Sequence, residues 1–223
     1  YGVSPFAILF SSFSYVIARW NNEQRFLLSI PEFDIPDFHK DFYKVIGVCS
    51  SFLIYIAENT KGKSFYQVVA DTQKQILELK DNNCFTGMDV VREIYKGKGV
   101  YGSDALVPLV FGIMPESSSF ETNFIKGNNR AIRLRYQENH TSQIYLDINA
   151  VIYKDRIEFN WNTVKGLVDK DVISNMADLQ KKILYSAAND DEFWSNELNL
   201  ELPERDKRII EEANSTEKPI EFK

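Results

Sequence analysis

Residues 143–161, Q-I-Y-L-D-I-N-A-V-I-Y-K-D-R-I-E-F-N-W, carry the pattern that decides the fold. Apolar side chains alternate with polar ones twice, first over residues 144–150 and then over residues 157–161, with Lys154-Asp155 between the two runs. Such alternation is typical of β-strands that bury one face, and a short polar break between two runs indicates a tight turn. The stretch therefore predicts an antiparallel β-hairpin.

Helical patterns lie on both sides of this hairpin. Ser4-Pro5 fits the cap and first turn of a helix that runs to Trp20, and Ser64 opens a capping-box pattern before a second helix. A shorter helix is predicted from about 86 to 96, and an amphipathic helix over 172–183. The order helix, strand, strand, two helices, strand, hairpin, helix predicts an α/β two-layer lobe with a mixed sheet. The strands before the hairpin are predicted at 26–30, ended by Pro31, at 45–56 and at 106–114.

Composition excludes several classes of protein. With 223 residues, 44% of them apolar, the chain can bury a substantial core. The 32 acidic and 26 basic residues are interspersed, with no basic stripe for nucleic acid, and no uncharged apolar run reaches the roughly 18 residues that span a membrane. Two cysteines, Cys49 and Cys84, form neither a disulfide framework nor a metal-ligand cluster, so a reducing cytoplasm is the expected compartment.

The end of the chain differs in composition from the rest. Charged residues dominate from Asn189 onward. We therefore predict a folded lobe over residues 1–188 and an interdomain linker over residues 189–223.

Two widely spaced motifs carry a resemblance to a known family. The first consists of Ser4-Pro5, Leu9, Val16-Ile17 and Trp20, and the second is Gln143-Ile144-Tyr145-Leu146-Asp147, followed after thirteen residues by Trp161. In this order and spacing, the chain resembles the C-terminal lobe of a condensation domain of nonribosomal peptide synthetases, in the heterocyclization subclass. The resemblance covers nearly all of the chain. It implies a chloramphenicol-acetyltransferase-like fold, a missing N-terminal lobe, and a tail similar to the linker towards an adenylation domain.

The resemblance also implies a reaction. In this family two carrier proteins bring their substrates on phosphopantetheine arms, and the amine of a carrier-bound Cys, Ser or Thr attacks the upstream thioester. Heterocyclizing members then close the side chain onto the new amide and lose water, which gives a thiazoline or an oxazoline. The implied partners are carrier proteins, the N-terminal lobe and the adenylation domain. No cofactor would be bound directly, no metal is expected, and siderophore assembly is a fitting context.

The resemblance assigns roles to particular residues, and one of them departs from the pattern. Asp147 corresponds to the aspartate that moves protons during cyclodehydration, and Gln143 and Tyr145 would contact the substrate. Pro108-Leu109-Val110-Phe111-Gly112-Ile113 stands where the family has P-V-V-F-T-S, so Gly112 lies at the substrate but replaces the threonine that works with the aspartate. A glycine has no hydroxyl to donate or accept a proton, and the two-residue apparatus is incomplete.

This departure leaves three hypotheses open. The domain forms the amide and leaves cyclization to a partner; or Thr141 or Ser50 supplies the lost hydroxyl; or the lobe is a degenerate, non-catalytic docking module for carrier proteins. Ser50 ends Gly47-Val48-Cys49-Ser50, which stands in place of the family's G-D-F-T. A stand-alone acyl-CoA acyltransferase of the same fold is a fourth interpretation, which the linker-like tail disfavours.

Other polar residues are functional candidates that fit structural roles better. Asp34 and Asp37 lie among prolines in a predicted loop, and Cys49 lies in an apolar run without a neighbour that would lower its pKa. Trp20 and Trp161 are predicted to anchor the core. The remaining candidates are His39, His140 and the alternating arginines Arg130, Arg133 and Arg135.

Overall fold

The part of the chain that the structure describes forms a five-stranded sheet with helices packed against it. The computed structural model describes residues 1–21, 23, 25–33, 41, 44, 50–58, 60–82, 84–98, 105–115 and 141–214. In chain order its elements are α1 (Pro5–Trp20), β1 (Arg25–Phe33), β2 (Ser50–Glu58), α2 (Phe65–Asp81), α3 (Gly87–Lys98), β3 (Leu109–Pro115), β4 (Leu146–Ile152), β5 (Ile157–Thr163), α4 (Lys170–Asn189), α5 (Asp191–Ser195) and α6 (Glu204–Asn214).

The strands run in the spatial order β2-β1-β3-β4-β5, and the sheet is mixed as predicted. β1 pairs with β3 and β3 pairs with β4 in parallel, whereas β1–β2 and β4–β5 are antiparallel. The predicted hairpin is confirmed, because β4 and β5 pair along their length and the Tyr153 amide donates to the Arg156 carbonyl at 2.9 Å across the turn. The two-layer α/β arrangement is therefore confirmed.

Local signals set the ends of the first two helices. The Ser4 hydroxyl accepts a hydrogen bond from the Ala7 amide at 3.2 Å, and Pro5 occupies the first helical position of α1. Ser64 and Gln67 form the predicted capping box at the start of α2, with hydrogen bonds in both directions. These caps satisfy amides that the helices leave without partners, so both helix starts follow from sequence.

One face of the sheet is covered by α1, α2 and α4. Phe10 and Phe13 of α1 lie against Phe111 of β3, with ring centroids 5.5 Å and 5.1 Å from it, in edge-to-face and stacked geometry. The buried Gln180 of α4 donates to the Ser12 hydroxyl of α1 at 3.2 Å, which satisfies a polar pair inside the core. The predicted anchor Trp161 packs edge-on against Phe13, at 5.9 Å between centroids.

Two predicted strand boundaries differ from the structure. The prediction that Pro31 ends the first strand is wrong, because β1 continues to Phe33 with Pro31 opposite Phe52 of β2. Proline lacks only its own amide donor, and the antiparallel pairing with β2 persists beyond it. The second predicted strand is described from Ser50 to Glu58, and its expected first part, 45–49, lies outside the described residues.

The segment after residue 189 packs against the lobe as far as it is described. It contains two helices, α5 and α6, and buries Trp194, Leu198 and Leu202. The buried Tyr15 hydroxyl of α1 donates to the Leu198 carbonyl at 2.9 Å. Trp20 donates to the carboxylate of the buried Asp206 at 3.2 Å. This part of the predicted linker is thus held against α1.

Candidate active site

The second face of the sheet carries polar side chains. Along β4, Leu146, Ile148 and Ala150 point into the core, so Asp147 and Asn149 point to the opposite side, as the alternation predicted. The parallel register sets Val110 opposite Asp147 and Gly112 opposite Asn149. Residues opposite each other in a sheet share a face, and positions 110, 112, 147 and 149 therefore form one surface.

A cavity of about 870 Å³ opens over this surface. It is larger than the cavity of about 620 Å³ between the start of α1 and α2, which lies away from the predicted site. Five of the six predicted site residues line it together, although they come from three separate stretches of the chain: Ser50, Gly112, Thr141, Gln143 and Asp147.

Asp147 is half-buried in the wall of this cavity. Its Oδ1 atom accepts a hydrogen bond from the Asn149 side-chain amide at 3.0 Å. Burial raises the pKa of the Asp147 carboxyl above its ordinary value, and the bond from Asn149 opposes that rise only in part. A carboxyl that gains and loses a proton more readily near neutral pH is suited to general acid–base work.

Gly112 is buried beside Asn149, and the space above it is limited. A Cβ atom at this position would lie 3.1 Å from Asn149 Oδ1 and 3.7 Å from Pro31 Cγ. The first distance is shorter than ordinary van der Waals contact, so Asn149 would have to give way to any side chain at residue 112. Residue 112 thus has no hydroxyl, and the side-chain amide of Asn149 lies beside the space where a side chain at residue 112 would begin.

Thr141 and Gln143 belong to a turn that leads into β4. The Ile144 amide donates to the Thr141 carbonyl at 3.3 Å, and Gln143 has a φ of 65°. This left-handed backbone is uncommon for a residue with a side chain, and strain of this kind is frequent at functional sites. The turn directs Thr141 and Gln143 to the cavity, and both are exposed.

Tyr145 is the predicted site residue that does not line the main cavity. Its amide donates to the Pro108 carbonyl at 2.8 Å, and its side chain is 41% exposed. It lines a small adjoining cavity of about 80 Å³, which also touches Thr141 and Asp147. Its predicted contact with substrate remains a prediction.

Ser50 brings a hydroxyl to the cavity from the other edge of the sheet. It is the first residue of β2, and its side chain is exposed. Ser51, which the sequence did not single out, lies beside it in the same wall. Hydroxyl groups therefore reach the cavity from β2 as well as from the turn before β4.

Helix α3 forms a wall that the sequence did not assign to the site. Gly87, at its start, is buried against β2, where a Cβ atom would lie 2.5 Å from the ring and the carbonyl oxygen of Phe52. The sequence predicted a helix over these residues, but it gave that helix no role in the site. The residues that α3 contributes to the cavity are Met88, Val91, Arg92 and Tyr95.

Several weaker candidates lie outside the described residues. They are Asp34, Asp37, His39, Cys49, Arg130, Arg133, Arg135 and His140. Within the described part of the chain, no cluster of three or more His, Cys, Asp or Glu side chains is placed to bind a metal. Nor does that part contain a helix long and apolar enough to span a membrane.

Curated relatives match the chain over most of its length. It is 24% identical to bacitracin synthase 1 of Bacillus licheniformis over 99% of the chain, and 24% identical to phenyloxazoline synthase MbtB of Mycobacterium sp. (strain MCS) over 86% of the chain. The chain spans only 4% and 16% of these relatives' own lengths. No protein-family model matches the chain.

A solved structure shares the fold. The cyclization-docking bidomain of the nonribosomal peptide synthetase EpoB from Sorangium cellulosum superposes with a TM-score of 0.68 and 24% identity, covering 88% of this chain and 38% of that one. The resemblance predicted from the two motifs is thereby confirmed. The chain is related to nonribosomal peptide synthetases over nearly all of its length and has the fold of their condensation and cyclization domains.

Proposed function

We propose that residues 1–188 are the C-terminal lobe of a condensation domain of the heterocyclization subclass, and that residues 189–223 link it towards an adenylation domain. The observation that carries the proposal is the half-buried Asp147, whose pKa is raised by burial, in a cavity that Ser50, Gly112, Thr141 and Gln143 also line. The relative named phenyloxazoline synthase forms, by its name, a product with the ring that this chemistry gives.

The first step joins two carrier-bound substrates. The amine nitrogen of an acceptor-bound Cys, Ser or Thr attacks the carbonyl carbon of the donor thioester. The new N–C bond forms, the C–S bond breaks, and the donor phosphopantetheine leaves as a thiol that takes up the proton released by the amine. The lobe's contribution is a cavity of about 870 Å³, which lies in the range of pockets that enclose small ligands.

The second step closes the ring and releases water. The side-chain sulfur or oxygen attacks the new amide carbon, and Asp147 accepts the proton that the thiol or hydroxyl loses. Asp147 returns that proton to the former amide oxygen. This oxygen also takes up the proton that the nitrogen loses, the C–O bond breaks to release water, and the C=N bond forms. A positioned acid–base group of this kind contributes about 10²- to 10⁴-fold in rate.

The partners follow from this chemistry. A donor and an acceptor carrier protein would each present a phosphopantetheine arm, and an N-terminal lobe would close the open sheet face. The main cavity is bounded here by β-strands and α3 and is open to solvent, which suits completion by a second lobe.

A second candidate function is amide formation without cyclization. It is favoured by Gly112, which has no hydroxyl at the position where the related motif has a threonine. Thr141 and Ser50 line the same cavity and are the hydroxyls that would replace it in a cyclizing domain.

The test is intact-protein mass spectrometry of the acceptor carrier after reaction of the module that contains this lobe with a loaded donor carrier and a Cys-loaded acceptor. Condensed product lacking one water establishes cyclization. Condensed product that keeps this water supports the amide-only alternative. No transfer, despite proven loading of both carriers, refutes both and leaves a docking function.

A further inference from the structure

Asp147, Asn149 and Gly112 form a unit across two neighbouring strands. Asn149 donates its side-chain amide to Asp147 Oδ1 at 3.0 Å, two residues away on the same face of β4. Its own oxygen faces the empty position above Gly112, 3.1 Å from where a Cβ atom would sit. Gly112 lies opposite Asn149 in the parallel register. The three residues therefore share one small volume at the floor of the cavity.

We propose that Asn149 is a positioning residue that holds the Asp147 carboxylate for proton transfer, and that the lack of a side chain at Gly112 leaves the space that Asn149 requires. The proposal rests on the function proposed above, since it concerns the same carboxylate. An amide on β4 then supports the carboxylate in place of the hydroxyl that the related motif has on β3.

The geometry makes a side chain at residue 112 compete with the hydrogen bond from Asn149. A threonine at residue 112 would add a Cβ atom 3.1 Å from Asn149 Oδ1 and two further atoms beyond it, so Asn149 must shift by at least a few tenths of an ångström. We expect this shift to weaken the bond that Asn149 donates to Asp147 at 3.0 Å. Conversely, shortening Asn149 to alanine frees the volume that a hydroxyl at residue 112 needs.

The hydrogen bond also affects the titration of Asp147. The bond from Asn149 lowers the pKa of the carboxyl, against burial, which raises it more. Removing the amide leaves the raising effect unopposed. The acid limb of the kcat profile, where Asp147 must be deprotonated to accept a proton, should therefore move to higher pH in Asn149→Ala.

The experiment compares variants in the module that contains this lobe, by carrier mass spectrometry over a pH series. Asn149→Ala is expected to lower kcat about tenfold to a hundredfold, the value of a hydrogen bond to a charged group, with a smaller change in KM. The matched control is Asn160→Ala, because Asn160 is an exposed asparagine opposite Asn149 on β5. It should keep both the rate and the pH profile of the parent.

Rescue gives a second, independent measurement. Gly112→Thr alone should lower kcat, and Gly112→Thr combined with Asn149→Ala should recover activity relative to Asn149→Ala. Gly112→Val with Asn149→Ala is the control, since valine fills the same volume without a hydroxyl and should not recover it. Thermal unfolding of each variant separates lost activity from lost folding.

The outcomes distinguish this inference from the function beneath it. A parent module that transfers nothing between loaded carriers refutes both. An active parent whose Asn149→Ala variant matches Asn160→Ala in kcat and in pH profile refutes only the role of Asn149. Equal recovery by threonine and valine would show that residue 112 needs volume rather than a hydroxyl, and it too would overturn the exchange proposed here.

Discussion

Gly87 at the start of α3 sets how closely that helix approaches the sheet, and Gly87→Ala tests this directly. The added Cβ atom would lie 2.5 Å from two ring carbons and from the backbone oxygen of Phe52. Ordinary carbon contacts begin near about 3.5 Å, so α3 or Phe52 must move by about 1 Å. The backbone oxygen cannot swing away as a side chain does, and the helix itself is expected to shift.

The cost follows from overpacking at a buried position. Extra atoms in a well-packed interior destabilise by about 1–3 kcal/mol. For a chain of this length, each kcal/mol corresponds to about 2–4 °C in Tm, so Gly87→Ala should unfold about 2–12 °C below the parent. Met88, Val91 and Tyr95 line the cavity and move with the helix. The shape of the cavity should therefore change, and KM for the proposed substrates should rise.

The assay is thermal and urea unfolding of the parent, Gly87→Ala and Gly97→Ala. Gly97 belongs to the same helix, but a Cβ atom added there would meet nothing within 4 Å. Alanine there should stabilise by about 0.5–1 kcal/mol, because glycine is a poor helix former. Equal effects of the two substitutions would refute the close approach of α3 to β2 and, with it, the wall that α3 gives the cavity.

Substitutions at three further positions test the site and the packing of the tail. Asp147→Asn should lower the rate of cyclodehydration about 10²- to 10⁴-fold, measured by carrier mass spectrometry. Asp147→Asn should also raise Tm at neutral pH, because burial raises the pKa of Asp147 and its charged form therefore lowers the stability of the folded state. This gain in Tm should vanish as the pH falls below the pKa of the unfolded carboxyl, about 3.9. A Tm difference that stays the same across this pH range would contradict the argument. Gln143 has a φ of 65°, which glycine adopts freely and a β-branched residue does not. Gln143→Gly should therefore be at least as stable as the parent, whereas Gln143→Val should lose about 1–3 kcal/mol in urea unfolding. Equal stability of the two variants would exclude strain at this turn. Tyr15→Phe removes a buried hydroxyl that donates to the Leu198 carbonyl and accepts from the Leu200 amide. The free energy of unfolding should fall by about 1–3 kcal/mol, and the Leu200 amide should exchange its hydrogen faster. Exchange at Leu200 as slow as in the parent would show that other contacts hold the tail.

Local chemistry made much of the fold predictable. Ser4 and Ser64 cap their helices because the cap depends on residues within one turn. The hairpin followed from alternation and a short turn. Pro31 was misjudged because its tolerance depends on which neighbour β1 pairs with beyond that point, and pairing partners are distant in sequence. The packing of the tail was also missed, since its charge hid the four-residue spacing of Trp194, Leu198 and Leu202.

The site was predictable in part for the same reason. Alternation placed Asp147 on the face away from the core, and the motifs pointed to Ser50 and Gly112. That Asn149 contacts Asp147 was within reach, because residues two apart in a strand share a face. That Asn149 also fills the space over Gly112 required the register between β3 and β4, which neither strand's own sequence specifies.

The two faces of β4 give the lobe separate routes of evolutionary change. The filled interior constrains the buried side chains of β4, which are Leu146, Ile148 and Ala150. Their neighbours Asp147 and Asn149 face the cavity and are constrained by its chemistry instead. Selection can thus alter one set while the other stays constant. An exchange at residues 112 and 149 needs two substitutions, and passing through Asn149→Ala first avoids the crowded intermediate. The exchange can accordingly proceed without first giving up a stable fold, through an intermediate that keeps Asp147 but is expected to turn over more slowly.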